Sequence, residues 1–308
     1  MRPVRIASRG SKLALCQANI VLESLRRLRS ELKMSVLTVS TKGDTDKRDF
    51  LHKSDSQGLF TSEVESAVLD GRADIAVHSL KDMPTAATPG LVVAAIPVRE
   101  SPADALVASG QFGSIAELPS GAKVGTSSLR RIAQLRHLRN DLECVPLRGN
   151  VETRVSKVAS GAVDVAVIAC AGLNRLALSD RISAILPPEQ FVPAPAQGAL
   201  AVQIRCDDRE LARLVSQLDH EPSRIAVETE RYILASMQGG CSIPLGVYAQ
   251  IQGDSIAIRA VICDLEGRKY VKLSRRAAVG EARPCAEDLT RDMLTAGGRE
   301  ILERIRST

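Results

Sequence analysis

Two stretches of this 308-residue chain follow the same plan, and this internal repeat restricts the fold more than any other feature. Within residues 5–25 a short apolar strand is followed by a Ser-Arg-Gly-Ser turn and then by an amphipathic helical pattern. Residues 122–138 repeat that order around a Gly-Thr-Ser-Ser turn. The repeat predicts two lobes of similar construction.

A second pair of segments supports the duplication. Gly71–His78 and Gly161–Ile168 are both apolar strands that follow a glycine-containing turn, and the serine-to-glutamine spacing in Ser11–Gln17 recurs in Ser128–Gln134. Chance similarity between such short segments is the alternative. Alternating strands and helices predict that each lobe is α/β with a largely parallel sheet.

Two proline-containing segments, Pro97–Pro102 and Pro187–Gly198, are the expected crossings between the lobes. After about residue 220 the pattern changes to one helix, three alternating strands and a C-terminal helix that begins at about Ala286, which is typical of a smaller α+β domain. The predicted domains are 1–98 with 199–219, 103–193, and 220–308.

Composition excludes several classes of function. No apolar run approaches the roughly 20 residues of a membrane span, and the N-terminus does not resemble a signal peptide, so a cytoplasmic protein is expected. Aromatic residues make up 2% of the chain and tryptophan is absent, which argues against stacking on single-stranded nucleic acid. The net charge is +5, and six arginines lie between Arg130 and Arg154, which favours a small anionic ligand. The seven cysteines form no Cys-x-x-Cys pair, so neither a metal site nor a disulfide framework is predicted.

The segment Gly125–Arg131 places hydroxyl groups and two guanidinium groups at a predicted helix start, where carboxylates bind well. Arg148 and Arg154 can add forked donors at the same edge of the sheet. The alternative is an ordinary N-capping serine followed by two solvated arginines.

The segment Asp74–Pro84 is a buried-looking strand that runs into a polar cluster and is terminated by proline. At the end of that strand Asp82, next to Lys81, could stabilise a developing cation or transfer a proton. A surface Lys-Asp turn without function is the alternative. His78 alternates with apolar neighbours, and a structural role in the core is favoured for it.

Two glycines precede Cys241 and leave its thiol sterically open, as covalent attachment or nucleophilic chemistry requires. A loop cysteine without a role is the alternative. The other six cysteines lie in apolar or helical contexts and are interpreted as small core residues.

Taken together and in order along the chain, these segments resemble the porphobilinogen deaminase family. The motifs that carry the resemblance are Arg5–Ser11, Ala76–Asp82, Gly125–Arg131, Leu147–Asn150, Gln197–Ala199 and Gly239–Cys241. The resemblance implies an α/β fold class: two lobes like those of periplasmic binding proteins, joined by a two-segment hinge, plus a smaller α+β C-terminal domain.

The resemblance also implies an activity. Members are transferases of heme biosynthesis that condense four porphobilinogen molecules, with loss of ammonia, into the linear tetrapyrrole hydroxymethylbilane. The product grows on a dipyrromethane cofactor, which the resemblance places in a thioether bond to Cys241 and which is retained as a primer. Asp82 matches the catalytic aspartate, which assists the loss of ammonia and stabilises cationic intermediates.

Each pyrrole ring carries acetate and propionate arms, which accounts for the many cationic positions that the family uses. The positions that match its cofactor- and substrate-binding set are Arg9, Ser11, Asp44, Ser79, Lys81, Thr126, Ser127, Ser128, Arg130, Arg131, Arg148, Gly149, Arg154 and Arg175. One segment of this chain departs from the pattern, because Gln57 stands where a basic residue is usual. The part played by the 45–60 loop is therefore open.

Two other classes of function are alternatives to an enzyme. A non-catalytic two-lobed receptor for a small anion is consistent with the lobes, but it requires neither a third domain nor the Gly-Gly-Cys loop. An RNA-binding protein that uses the arginine cluster would bind with a steep dependence on salt. We therefore expect a monomeric enzyme with a small-molecule substrate, and neither a nucleic acid nor a membrane as partner.

Overall fold

The computed structural model describes residues 3–41, 61–110, 112–237 and 243–307. The strands are β1 (Val4–Arg9), β2 (Met34–Val39), β3 (Ile75–Ser79), β4 (Leu91–Ala95), β5 (Asp104–Ala108), β6 (Lys123–Gly125), β7 (Glu143–Val145), β8 (Val165–Ala169), β9 (Ala184–Leu186), β10 (Leu200–Arg205), β11 (Leu245–Gln252), β12 (Ser255–Cys263) and β13 (Tyr270–Ala278). The helices are α1 (Lys12–Leu28), α2 (Ser62–Leu69), α3 (Leu129–Leu138), α4 (Val151–Ala159), α5 (Cys170–Arg175), α6 (Arg209–Val215), α7 (Glu221–Ser236), α8 (Ala282–Met293) and α9 (Arg299–Arg306). Within the described ranges, none of these helices has the length and apolar character needed to cross a bilayer.

The chain divides into two units, Met1–Glu100 with Ala199–Arg224, and Ser101–Gly198 with Ile225–Thr308. The first unit contains a five-stranded sheet in the order β2-β1-β3-β10-β4. Strands β2, β1 and β3 are parallel, and β10 runs antiparallel to both of its neighbours. Strand β10 therefore returns from a distant part of the chain to complete this sheet.

Helix α1 shows how the local sequence determines the packing of the first lobe. The Ser11 hydroxyl caps its first turn. Buried residues recur at Ala18, Val21, Leu22 and Leu25, a spacing that forms one face of a helix. That face packs against strands β1 and β3 in one core, while α2 packs against the opposite face of the sheet in a second core.

The second unit repeats the plan of the first, with a five-stranded sheet in the order β7-β6-β8-β5-β9. In the first unit the Asp74 carboxylate accepts a hydrogen bond from the backbone N–H of Arg5 at 2.8 Å. In the second unit the Asp164 carboxylate accepts the equivalent bond from the backbone N–H of Lys123 at 2.7 Å. The predicted duplication is confirmed. In each sheet four strands run in one direction, and one interior strand, β10 in the first sheet and β5 in the second, is antiparallel to both of its neighbours. The expectation of a largely parallel sheet is therefore confirmed. Strand β5 follows the first of the expected crossings, and β10 follows the second.

The C-terminal part of the second unit is an antiparallel sheet in the order β11-β12-β13, and helices α7, α8 and α9 share its apolar core. The predicted fold class, α/β lobes with a smaller α+β region, is confirmed. The C-terminal helical region begins at Ala282, a few residues before the predicted Ala286. The division into three domains stays a prediction.

Candidate active site

Strand β3 leads directly into the polar segment that the sequence associates with chemistry. A single 3-10 turn follows the strand, with Leu80 and Met83 buried, Lys81 half-buried and Asp82 exposed. The backbone N–H of Leu80 donates to the carbonyl of Ala199 at 3.0 Å. Two apolar anchors and this bond thus fix the turn, which leaves the Asp82 carboxylate accessible.

The ends of β1 and β3 bring several predicted residues of the first unit to one edge of the sheet. These strands are parallel neighbours, so their carboxyl ends lie together. Arg9 is the last residue of β1, Ser11 lies two residues beyond it, and Ser79 is the last residue of β3. The Ser11 hydroxyl accepts from the backbone of Ala14 at 3.3 Å. The buried Gln17 donates to the Ser79 hydroxyl at 2.9 Å, which ties helix α1 to the end of β3.

His78 is buried beside this edge. Its pKa is lowered from 6.5 to about 4, mainly by burial and further by the charge of Arg9, while the nearby side chain of Gln203 opposes the shift. The imidazole is therefore neutral near pH 7 and lacks the second proton of an imidazolium there. The predicted core role of His78 is confirmed.

In the second unit, the turn after β6 is held by its own hydroxyl groups. The Ser127 hydroxyl accepts from the backbone N–H of Leu147 at 3.1 Å and donates to its carbonyl at 3.2 Å. The buried Thr126 hydroxyl accepts from the backbone of Ser128 at 3.3 Å. These bonds join the 126–128 turn to the segment that follows β7.

Arg148 and Arg154 are positioned by the loop between β7 and α4. Asn150 caps α4 by accepting from the backbone of Thr153 at 2.8 Å, and Arg154 Nε donates to the carbonyl of Gly149 at 2.9 Å. Gly149 has a φ of +112°, and a Cβ there would lie 2.7 Å from the Thr153 side chain, so glycine is required. Both arginines are half-buried.

Arg175 ends the short helix α5, which follows β8. It is half-buried, and its Nη2 donates to the carbonyl of Gly198 at 2.7 Å. Strands β7, β6 and β8 are parallel neighbours, so Arg148, Thr126 and Arg175 all follow the same edge of this sheet. The second unit thus places cationic and hydroxyl donors on one side.

Arg130 and Arg131 differ from both interpretations of the sequence. They are neither solvated nor directed only at a ligand: both are buried, and both are bonded to the buried carboxylate of Asp104. The Ser128 side chain makes no capping bond to α3. The alternative of a capping serine with two solvated arginines is therefore wrong, because burial leaves the guanidiniums in need of a counterion.

Sequence reasoning missed Asp104. The signal was present: an aspartate opens the apolar strand Asp104–Ala108, and two adjacent arginines lie on an otherwise amphipathic helix. It also missed the role of Gln134, which accepts from the backbone N–H of Val192 at 2.8 Å and donates to its carbonyl at 2.9 Å.

Three predicted features, Asp44, the 45–60 loop with Gln57, and Cys241, lie outside the described residues. The interpretation of the remaining cysteines as core residues is wrong for Cys206, which is exposed because it directly follows the end of β10. Cys170, Cys263 and Cys285 are buried, and two others are half-buried.

Comparison with known proteins identifies the relationship. Residues 4–213 match the family model described as "Porphobilinogen deaminase, dipyromethane cofactor binding domain", and residues 224–295 match the model of the C-terminal domain of the same enzyme. The chain belongs to the porphobilinogen deaminase family. The family expected from the motifs is therefore confirmed, and the alternative of a non-catalytic anion receptor is not favoured.

Curated porphobilinogen deaminases resemble the chain over nearly its whole length. The enzyme of Maridesulfovibrio salexigens is 42% identical over 305 residues, which covers 99% of each chain. That of Syntrophomonas wolfei is 42% identical over 302 residues, or 98% of each chain. Among solved structures, the periplasmic aliphatic sulphonate binding protein SsuA of Escherichia coli matches with a TM-score of 0.41 and 16% identity, over 77% of this chain and 71% of that one.

Proposed function

We propose that this chain is a hydroxymethylbilane synthase that condenses four porphobilinogen molecules on a dipyrromethane primer attached to Cys241. The observation that carries the proposal is the fixed turn at the end of β3, which holds Lys81 and the exposed Asp82 within the part of the chain that matches the family model. The predicted monomeric state and cytoplasmic location belong to the same proposal.

The donors of the second unit fit the carboxylate arms of a dipyrromethane. Arg148, Arg154 and Arg175 are half-buried, a setting in which a guanidinium binds a carboxylate more strongly than it does in water. Arg130 adds a buried Nε–H that has no acceptor in the described part of the chain. When bound, the dipyrromethane supplies the free pyrrole α-carbon from which the chain grows.

The residues of the first unit would act on the incoming substrate. Arg9 and Lys81 would bind its acetate and propionate arms, and the hydroxyl groups of Ser11 and Ser79 would orient them. The Asp82 carboxylate would stabilise positive charge on the reacting ring and would transfer a proton as ammonia leaves.

Intact-protein mass spectrometry tests the attachment site. The purified wild-type chain is expected to carry the added mass of two pyrrole units, and the Cys241→Ser variant is expected to lack it. An unmodified wild-type chain that is fully active would contradict the cofactor assignment.

The rate of ammonia release from porphobilinogen tests Asp82. The Asp82→Asn variant keeps the shape of the side chain but loses its charge and basicity, so we expect the rate to fall roughly 10²–10⁴-fold. Asp70→Asn, at another exposed aspartate of the same unit, is the matched control and should stay near the wild-type rate. Equal rates in the two variants would remove Asp82 from the mechanism.

A further inference from the structure

Asp104 stands at the centre of a buried cluster that the proposed mechanism does not use. Its side chain is fully buried at the start of β5 and accepts four hydrogen bonds. The donors are Arg130 Nη2 at 2.8 Å, Arg131 Nε at 3.1 Å and Nη2 at 2.6 Å, and Gln197 Nε2 at 3.0 Å. Both adjacent arginines of α3 are thus held by a single carboxylate.

Stability alone gives a weak reason for such a cluster. Removing three charged groups from water is costly, and apolar side chains of similar volume are often at least as stabilising in their place. Burial alone would raise the pKa of Asp104, but the charges of Arg130 and Arg131 outweigh it and hold the pKa well below its ordinary value. The cluster therefore keeps its carboxylate ionised and carries one positive charge in excess.

The two arginines differ in how fully their donors are used. Arg131 directs Nε and Nη2 to Asp104 and Nη1 to the carbonyl of Val167 at 2.8 Å. Arg130 bonds through Nη2 to Asp104 and through Nη1 to the carbonyl of Val192 at 2.8 Å, but its buried Nε has no acceptor among the described residues. A buried donor without an acceptor is unfavourable unless a ligand supplies one.

The same cluster fixes the two segments by which the chain enters and leaves this lobe. Gln197 also donates to the carbonyl of Pro102 at 2.8 Å, just before β5. Arg130 and Gln134 both donate to the carbonyl of Val192. The start of helix α3 is therefore held from several directions, and its arginines have little freedom to reorient.

We propose that Asp104 is a positioning residue: it holds the guanidiniums of Arg130 and Arg131 so that their excess charge and the Nε–H of Arg130 receive a carboxylate of the primer or the growing pyrrole chain. The inference rests on the proposed function, since it requires that the carboxylates of pyrrole rings bind to the second unit.

The Asp104→Asn variant tests this role. It keeps the size of the side chain and one acceptor oxygen but removes the charge, so the guanidiniums lose their fixed orientation. We expect the KM for porphobilinogen to rise roughly tenfold or more, with a smaller change in kcat, and the fraction of chains that carry the two-pyrrole adduct to fall. Asp164→Asn is the matched control, because Asp164 accepts a backbone hydrogen bond in the same lobe but is exposed. It should leave the KM within about twofold of wild type.

A double-mutant cycle separates positioning from a general structural role. In a chain that already carries Arg130→Gln and Arg131→Gln, adding Asp104→Asn should change the KM little further, because Asp104 acts through those guanidiniums. A full additional rise in KM would contradict the inference. Asp104→Glu keeps the charge and should give a KM between those of wild type and Asp104→Asn.

The outcomes distinguish this inference from the proposed function. A wild-type chain that does not convert porphobilinogen would overturn the proposed function. An active wild type whose KM and adduct fraction are unchanged in Asp104→Asn would overturn only the positioning role. If circular dichroism shows that Asp104→Asn does not fold, Asp104→Glu carries the test alone: a KM raised roughly threefold or more supports the role, and an unchanged KM overturns it.

Discussion

Neighbouring side chains on strand β3 meet opposite environments. His78 is buried and neutral, whereas the hydroxyl of Ser79 lies at the edge of the sheet, where Gln17 holds it. Alternation along a strand produces this difference, because successive side chains point to opposite faces. The same pattern made the core role of His78 predictable from sequence.

The lowered pKa of His78 makes stability depend on pH. Above pH 6.5 the imidazole is neutral in both the folded and the unfolded chain. As the pH falls from 6.5 towards 4, the unfolded chain gains a proton that the folded chain does not, so the free energy of unfolding decreases. A pKa lowered from 6.5 to about 4 corresponds to a loss of about 3 kcal/mol.

Urea unfolding at about pH 7.5, about pH 5.5 and about pH 4.5 measures this dependence. The first of these values lies above the range in which stability changes, and the other two lie within it. The His78→Gln variant lacks the titrating group and should lose less stability over the interval than wild type does. Identical slopes in wild type and His78→Gln would show that the imidazole does not cause the decrease.

The buried cluster of Asp104 marks the limit of sequence reasoning at this scale. Asp104 and Arg130 are 26 residues apart, and only the arrangement of β5 against α3 brings them together. Local spacing predicts which side chains share a face of one element, but it carries no information about a partner on another element.

Helix α3 uses its two ends for different contacts. Its first turn directs Arg130 to the buried carboxylate, while its last turn docks on the loop between β12 and β13. There Arg136 Nη1 donates to the carbonyl of Leu265 at 2.7 Å, and His137 Nδ1 donates to that of Gly267 at 3.0 Å. The His137 ring also stacks on Tyr270, with 3.8 Å between centroids. The bounds of α3 agree with the helical pattern in the sequence, but these partners lie about 130 residues further along and could not be predicted from it.

Replacing Gly267 with alanine tests how closely these elements approach. Gly267 has a φ of +76°, and a Cβ there would lie 2.5 Å from the backbone nitrogen of His137. We expect Gly267→Ala to lower the free energy of unfolding by roughly 3–5 kcal/mol, from left-handed strain and backbone overlap together. Chemical denaturation measures the difference.

Gly253→Ala is the matched control for this substitution. Gly253 also has a positive φ, +59°, but a Cβ there would have no neighbouring atom within 4 Å, so the strain acts alone and should cost about 1–2 kcal/mol. Equal losses in the two variants would mean that the loop can move away from α3 without cost.

At the scale of the whole molecule, the duplication could be predicted from the sequence. The positions of the antiparallel strands, β10 in the first sheet and β5 in the second, could not. The repeated turns and strands have direct sequence signals, since each rests on residues close together in the chain. No local sequence pattern indicates that β10 lies between β3 and β4, because β10 pairs with residues more than 100 positions earlier in the chain.

A dissection of the chain tests how much the first lobe depends on that strand. The fragment 1–100 lacks β10, so β3 and β4 have no strand between them, and we expect the fragment to remain unfolded by circular dichroism. A chain in which a short Gly/Ser linker joins 1–100 to 199–224 should fold. The linker can be short because Gln197 lies within hydrogen-bond distance of the carbonyl of Pro102. A folded 1–100 fragment would contradict this account.

The late position of β10 also orders events on the ribosome. At a synthesis rate of roughly 5–20 residues per second, several seconds or more pass between translation of the first hundred residues and translation of β10. During that interval the inserted segment, residues 101–198, is translated. Translation of the N-terminal lobe therefore begins first, but its sheet lacks an interior strand until residues 200–205 have been made, and until then β3 and β4 have unpaired edges.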